Sequence, residues 1–311
     1  MTVLVFGHKS PDTDSTGSPL IWAWYLSDIA ATPARAVLLG EPSAEAKFVL
    51  SHWGVDQPEI IGDVEPGAPV VIVDTNNPAE LPPSVSKAEI RAIIDHHKLT
   101  GGLQTLTPID ITMRPLACTA TSMHDLMGED AARMPRAIKG LMLSCILSDT
   151  LEFRSPTTTD HDRALAERLA AELGITIADY AAEMFAAKSD VSRFSDAELL
   201  RMDSKEYKLG DIALRVSVLE TTAANTLLAR KDGLMAAMPG IAAEDGADEV
   251  LLFIVDILRE EATLLVPNER VRAIASASFG KHAEGDTLLL PGVMSRKKQI
   301  IPVLTAPKAD A

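Results

Sequence analysis

Across 311 residues the chain has two cysteines, and aromatic residues make up only 4%. Cys118 and Cys145 stand apart in apolar or small-residue surroundings, which excludes a disulfide framework and a Cys-x-x-Cys metal site and fits a reducing, cytoplasmic setting. Apolar runs are short, and none approaches the roughly 18 residues of a membrane span. Residues 1–6 carry no basic leader or cleavage site, so they read as a strand and not as a secretory signal. Positive charge is scarce: Lys and Arg number 29 against 44 Asp and Glu, a formal net charge of -15. That balance argues against nucleic acid as a partner, because phosphate backbones are gripped by basic surfaces. It leaves room for a small phosphate compound, since local cations or metal ions outweigh a global negative field.

What is present reads as globular: 47% hydrophobic and 23% charged residues in a length that suggests two domains. Short apolar runs at 3–6, 36–39, 69–73 and 90–94 predict strands. Helical spacing marks 18–30, 43–52, 117–126, 135–147, 159–173 and 177–187. This alternation predicts an α/β domain over residues 1–187, built on a doubly wound, mostly parallel sheet. A polar stretch without periodicity at 188–194 reads as a linker. Residues 195–311 predict a smaller α/β domain with a mixed sheet. Its expected strands are 212–219, 250–258, 262–266 and 299–304, its helices 222–238 and 269–277, and 306–311 reads as a loose tail.

Four motifs carry chemistry. Gly7-His8-Lys9-Ser10-Pro11-Asp12-Thr13-Asp14-Ser15 follows the first predicted strand, Asp74 ends Val70-Val71-Ile72-Val73, and Asp95-His96-His97-Lys98 ends Ile93-Ile94. The fourth, Leu147-Ser148-Asp149-Thr150, closes an apolar helix. Ligands of open parallel sheets bind outside the carboxyl ends of the strands, so these segments are expected to converge on one crevice. Imidazole and carboxylate without thiolate suit Mn²⁺, Mg²⁺ or Co²⁺, and so many donors suffice for two ions sharing a carboxylate. Such a pair activates a bridging water for in-line attack on phosphorus. Taken singly, the acids also read as turn or helix-cap residues, but Asp95-His96-His97 directly after a buried-type strand resists a purely structural reading. His52, His124, His161 and His282 read as structural or surface residues. In the second half, Ser295-Arg296-Lys297-Lys298-Gln299 before an apolar run, together with Lys205, offers cations to an anionic substrate.

These residues resemble the signature set of the DHH phosphoesterases, and the Ser-Arg-Lys-Lys-Gln motif is similar to that of one branch, the family II (manganese-dependent) inorganic pyrophosphatases. Cys118-Thr119-Ala120-Thr121, Gly140-Leu141-Met142-Leu143-Ser144 and Ser155-Pro156-Thr157 also match, so the likeness spans nearly the whole chain. The resemblance implies hydrolysis of pyrophosphate to orthophosphate by a metal-bridged hydroxide at a dinuclear site between the domains. His8 and Asp12 would hold one metal, Asp14, His96 and Asp149 the other, and Asp74 would bridge them. His97 would meet the substrate, Asp95 would orient a neighbouring histidine, and Lys205, Arg296 and Lys297 would grip the phosphates. It further implies two Mn²⁺ per subunit, with Co²⁺ or Mg²⁺ as alternatives, an additional Mg²⁺ or Mn²⁺ arriving with the substrate, and a homodimer paired through the N-terminal domain. The linker would act as a hinge. Thr75 stands where many members carry histidine, which bears on metal preference, and no room is left for a regulatory nucleotide-binding insert. The competing readings are an exopolyphosphatase, a short-oligonucleotide phosphodiesterase lacking its usual Gly-Gly-Gly-His-type motif here, and a non-catalytic metal or phosphate sensor.

Overall fold

The computed structural model describes residues 1–306 apart from Asp190 and Arg193. Parts of the expected linker and most of the expected tail therefore lie outside the described residues. The chain divides into two compact units, Met1–Lys188 and Ser189–Ala311.

The N-terminal unit runs β1 (Val3–Phe6), α1 (Thr13–Trp24), β2 (Ala34–Ala36), α2 (Ala44–Trp53), β3 (Pro69–Val73), β4 (Glu89–Asp95), β5 (Asp110–Met113), α3 (Thr119–Met127), α4 (Arg136–Thr150), α5 (Asp160–Leu173) and α6 (Ile177–Lys188). The five strands pair in the order β2-β1-β3-β4-β5, and every pairing is parallel. In this order the connections reverse direction between β1 and β3, which opens a crevice at their carboxyl ends. β3 is buried at all five positions, as expected of a strand covered on both faces. Each fully buried Val or Ile there contributes about 1.5–3 kcal/mol.

Two close approaches set the geometry beneath that crevice. A Cβ on Gly7 would lie 1.9 Å from Ser15 Oγ, so only glycine lets the loop after β1 fold back on α1. A Cβ on Gly17 would lie 2.4 Å from Cys145 Sγ, so α1 and α4 pack against each other through a residue without a side chain. Helix α1 begins at Thr13, earlier than the expected start at 18. Asp12 is its N-cap, accepting from Ser15 N at 2.9 Å, so a loop-like motif forms the first helical turn. Residues 25–29 continue as a π-helical turn.

The C-terminal unit comprises α7 (Asp196–Met202), β6 (Ser204–Leu209), β7 (Ile212–Thr221), α8 (Ala224–Leu228), α9 (Lys231–Asp245), β8 (Glu249–Asp256), β9 (Glu261–Leu265), α10 (Glu269–Phe279) and β10 (Thr287–Pro291). Its sheet is mixed, ordered β10-β9-β8-β7-β6, with β7 and β8 parallel and the other pairs antiparallel. Along β8, Val250, Leu252 and Ile254 pack toward the α7 and α9 side chains Leu199, Leu200, Leu234 and Met238. The alternate residues Leu251, Phe253 and Val255 pack toward Val271 and Ile274 of α10. One continuous apolar run thus serves two faces.

The strand expected at 299–304 is not one. Residues 296–300 form a π-helical turn and 301–303 a 3₁₀ turn, with Ser295 capping Lys298 N and Pro302 unable to donate to a ladder. The edge strand of that side is β10. The single helix expected over 222–238 is two, α8 and α9, and β5, β6 and α7 are elements the periodicity did not mark.

Candidate metal centre

The motif residues of the N-terminal unit meet at the carboxyl end of its sheet. His8 follows β1, Asp74 follows β3, Asp95 ends β4, and Asp149 lies in the last turn of α4. Asp14 sits in the first turn of α1, 1% exposed. Three groups of potential ligand atoms each lie within 4.8 Å of one another: His8, Asp12 and Asp74; Asp74, His96 and His97; and Asp14, His96 and Asp149. Asp74 belongs to two of these groups and His96 to two.

Asp74 is the centre of the arrangement. Its Oδ2 faces His8 Nε2 at 3.6 Å and its Oδ1 faces His96 Nε2 at 3.4 Å. His96 Nε2 also lies 3.9 Å from Asp149 Oδ2, and His8 Nε2 lies 3.7 Å from Asp12 Oδ2. These separations exceed or reach the limit of hydrogen bonds. They are the spacing that donors keep around an ion, not the spacing of a bonded network. Asp74 Oδ2 and Asp149 Oδ2 are buried with no hydrogen-bond partner, which is costly unless something else satisfies them. Asp74 also holds a left-handed backbone, φ 59°, a strained conformation that fixes the carboxylate beyond the strand end.

Electrostatics point the same way. Burial, followed by repulsion from Asp14, Asp12, Asp149 and Asp95, pushes the Asp74 carboxyl well above its ordinary range. Burial and the charges of Asp14 and Asp12 do the same to Asp149. Carboxylates packed this closely without a cation among them resist ionisation. Divalent ions relieve that repulsion, and the nitrogen and oxygen donor set suits Mn²⁺, Mg²⁺ or Co²⁺. The residues therefore fit the expected metal pair.

The surrounding shell orients these donors. Asp14 accepts from Ser18 Oγ at 2.5 Å and from Thr119 N at 2.8 Å, and Thr119 Oγ1 donates to Asp74 Oδ1 at 3.1 Å. His96 Nδ1 lies 3.1 Å from the Leu116 carbonyl, so donation from Nδ1 leaves Nε2 for the carboxylates. Asp95, fully buried, accepts from His96 N, His97 N and His97 Nδ1, while its other oxygen accepts from Asn76 Nδ2 at 2.6 Å. The hydrogen bond that His97 donates to Asp95 raises the pKa of His97 against the opposing effect of its partial burial. Thr75 turns its hydroxyl to Glu80 at 2.6 Å. His8, Lys9, Ser10, Ala79, Glu80 and His97 line an open cleft of about 340 Å³.

The predicted cations belong to the other unit. Arg296 donates to the Asp203 carbonyl through Nη1 and pairs with the Asp203 carboxylate through Nη2, both at 2.8 Å. That anchors the Ser-Arg-Lys-Lys-Gln turn to the start of β6, which carries Lys205. Gln299 closes the turn, accepting from Met294 N and Ser295 N and donating to the Gly292 carbonyl at 2.6 Å. Lys205 and Lys297 are exposed. His52, read as structural, packs against the rings of Trp53 and Tyr180 in one aromatic cluster. Sequence reasoning gave no role to Asn76, which holds Asp95, to Asp203, which holds Arg296 within its own unit, or to Glu45, whose place in the first turn of a helix looks like an ordinary partner for the helix dipole.

Comparison with known proteins follows the same division. Residues 2–146 match the DHH family N-terminal domain and residues 182–306 match the DHHA2 domain. The chain is 39% identical over 305 residues to the probable manganese-dependent inorganic pyrophosphatase of Deinococcus radiodurans, covering 96% of each chain. It is 33% identical to a protein of the same description from Lactobacillus acidophilus, covering 97% of each. Among solved structures, a Methanococcus jannaschii protein assigned to the family II inorganic pyrophosphatases superposes with a TM-score of 0.61 at 32% identity, over 97% of this chain and 98% of that one.

Proposed function

The chain belongs to the DHH family, among the manganese-dependent (family II) inorganic pyrophosphatases, and from that membership we propose that it hydrolyses inorganic pyrophosphate to two orthophosphates. The observation that carries the reading is Asp74, a buried carboxylate whose two oxygens face different imidazoles, as a carboxylate shared between two ions requires. His8 and Asp12 would complete one metal position, and Asp14, His96 and Asp149 the other. When bound, divalent ions there supply positive charge to the phosphoryl group and acidify water.

The remaining chemistry belongs to the chain. His97 is tied through Nδ1 to Asp95 and its side chain is half exposed. With its proton affinity raised, it donates a hydrogen bond or a proton to a phosphoryl oxygen. Arg296 and Lys297, with Lys205, take the charge of the leaving phosphate. The guanidinium acts as a fork held by Asp203 and the lysines as point charges. A further Mg²⁺ or Mn²⁺ would accompany the substrate. A homodimer formed through the N-terminal unit is consistent with β5, an edge strand whose Ile111 is exposed.

The test is phosphate release by chelated protein refilled with Mn²⁺, Co²⁺ or Mg²⁺, using pyrophosphate, tripolyphosphate and a dinucleotide. The proposal expects metal-dependent release that is fastest from pyrophosphate. Preference for tripolyphosphate or the dinucleotide would move the protein to another DHH activity, and no release with any metal would leave a non-catalytic sensor.

A further inference from the structure

The N-terminal unit buries a carboxylate that none of the motifs contains. Glu45, in the first turn of α2, is 1% exposed. Its Oε1 accepts from Thr13 Oγ1 at 2.5 Å and also from Ser148 Oγ. Its Oε2 is buried without a hydrogen bond and is faced by the Lys188 ammonium at 3.6 Å. Thr13 stands between Asp12 and Asp14, and Ser148 immediately precedes Asp149. Glu45 therefore touches the immediate neighbours of ligands from both expected metal positions. A role in capping its own helix does not explain this. Ser43 already caps α2 by accepting from Ala46 N, and the oxygens of Glu45 are directed at other elements. The helix is fixed beside the metal loop as well, because Ser43 N donates to the Pro11 carbonyl at 2.9 Å.

We propose that Glu45 is a positioning residue for the metal pair: one buried oxygen clamps the start of α1 to the end of α4 through the Thr13 and Ser148 hydroxyls. The physical need is geometric: the candidate ligands ride on separate segments, the α1 start and the α4 end among them, and their ligand atoms must be held within 4.8 Å of one another. An ionised acceptor makes hydrogen bonds roughly twice as strong as a neutral one, and more so where water is excluded. Lys188 supplies the opposite charge that a buried carboxylate requires. The cradle is thus held near its loaded spacing, and metal affinity gains what would otherwise go into gathering it.

The proposal rests on the metal reading of the site, so the test separates the two. Full-length protein is chelated and titrated with Mn²⁺ by equilibrium dialysis, with circular dichroism and melting as checks on the fold. Wild-type protein should bind two ions. Glu45→Ala should stay folded and bind them about 10- to 100-fold more weakly, with excess Mn²⁺ restoring kcat. Glu45→Gln, whose amide oxygen still accepts both hydroxyls but without the charge, should weaken Mn²⁺ binding less than Glu45→Ala does. If Glu45→Ala does not fold, Ser148→Ala removes one side of the clamp and should weaken Mn²⁺ binding about threefold. Wild-type affinity in a folded Glu45→Ala or Ser148→Ala, or a loss of kcat that excess Mn²⁺ does not restore, overturns the positioning role alone. A wild-type chain that binds no Mn²⁺ removes the metal reading and this proposal together.

Discussion

The two units hold their charged groups in opposite ways. The N-terminal unit buries its acids: Asp14 and Asp74 are each 1% exposed and Asp95 is 0%, at the end of a sheet covered on both faces. The C-terminal unit keeps Lys205 and Lys297 in solvent and ties down Arg296 through Asp203. The first arrangement is unfavourable for the metal-free protein, because desolvation and mutual repulsion both oppose ionisation. The second costs little, because its cations remain hydrated. The contrast matches a division of labour in which one unit needs cations to be at ease and the other is ready for an anion without them.

Removing the shared carboxylate breaks the contrast most severely. Asp74→Ala should abolish Mn²⁺ binding at both positions and lower phosphate release by about 1,000-fold or more, read by dialysis and a phosphate assay. Retained activity would refute the bridging role. On the other unit, Lys297→Ala should lower kcat/KM for pyrophosphate by about 10- to 100-fold, the worth of a hydrogen bond to a charged group, while Mn²⁺ stoichiometry stays at wild type. Loss of metal in that variant would mean that the cation loop has been assigned the wrong work.

Stability sharpens the same contrast. Ligand present at about 100 times its Kd stabilises the state that binds it by about 2.7 kcal/mol. Mn²⁺ should therefore slow hydrogen exchange throughout the N-terminal sheet and raise its melting by about 5–10 °C, leaving the C-terminal sheet within about 2 °C. Equal shifts in both units would contradict this. The smallest effect is with pH. A carboxyl whose folded pKa is raised above its ordinary 3.8 binds more protons folded than unfolded, so it weakens the fold above that value. Chelated wild-type protein should then be less stable than Asp74→Asn at neutral pH, and the gap should close as pH falls toward 3.8. A gap that widens on acidification would contradict the sign.

Much of this was legible in the sequence where one physical signal dominated. Pro69–Val73 was readable to the residue, because an all-apolar run behind a proline has few alternatives to a covered strand. The grouping of His8, Asp74, His96 and Asp149 followed from acids and imidazoles at the ends of such runs. Elsewhere two signals competed. Thr13 to Gly17 is polar and looks like loop, yet Asp12 caps it and α1 begins there. Residues 299–304 have strand composition, but Pro302 and the Ser295 cap favour turns, and the true edge strand Thr287–Pro291 lies upstream. Asp203 and Glu45 carried no local mark, because their partners Arg296, Thr13 and Ser148 come near only through the fold.

The central claim is that Asp74 stands between two divalent ions at the carboxyl end of the N-terminal sheet. Anomalous diffraction at the manganese edge, from crystals grown with Mn²⁺, tests it most directly. The account predicts two peaks, one beside His8 and Asp12 and the other beside Asp14, His96 and Asp149, with an Asp74 oxygen on each. A single peak, or two peaks that Asp74 does not touch, would contradict it.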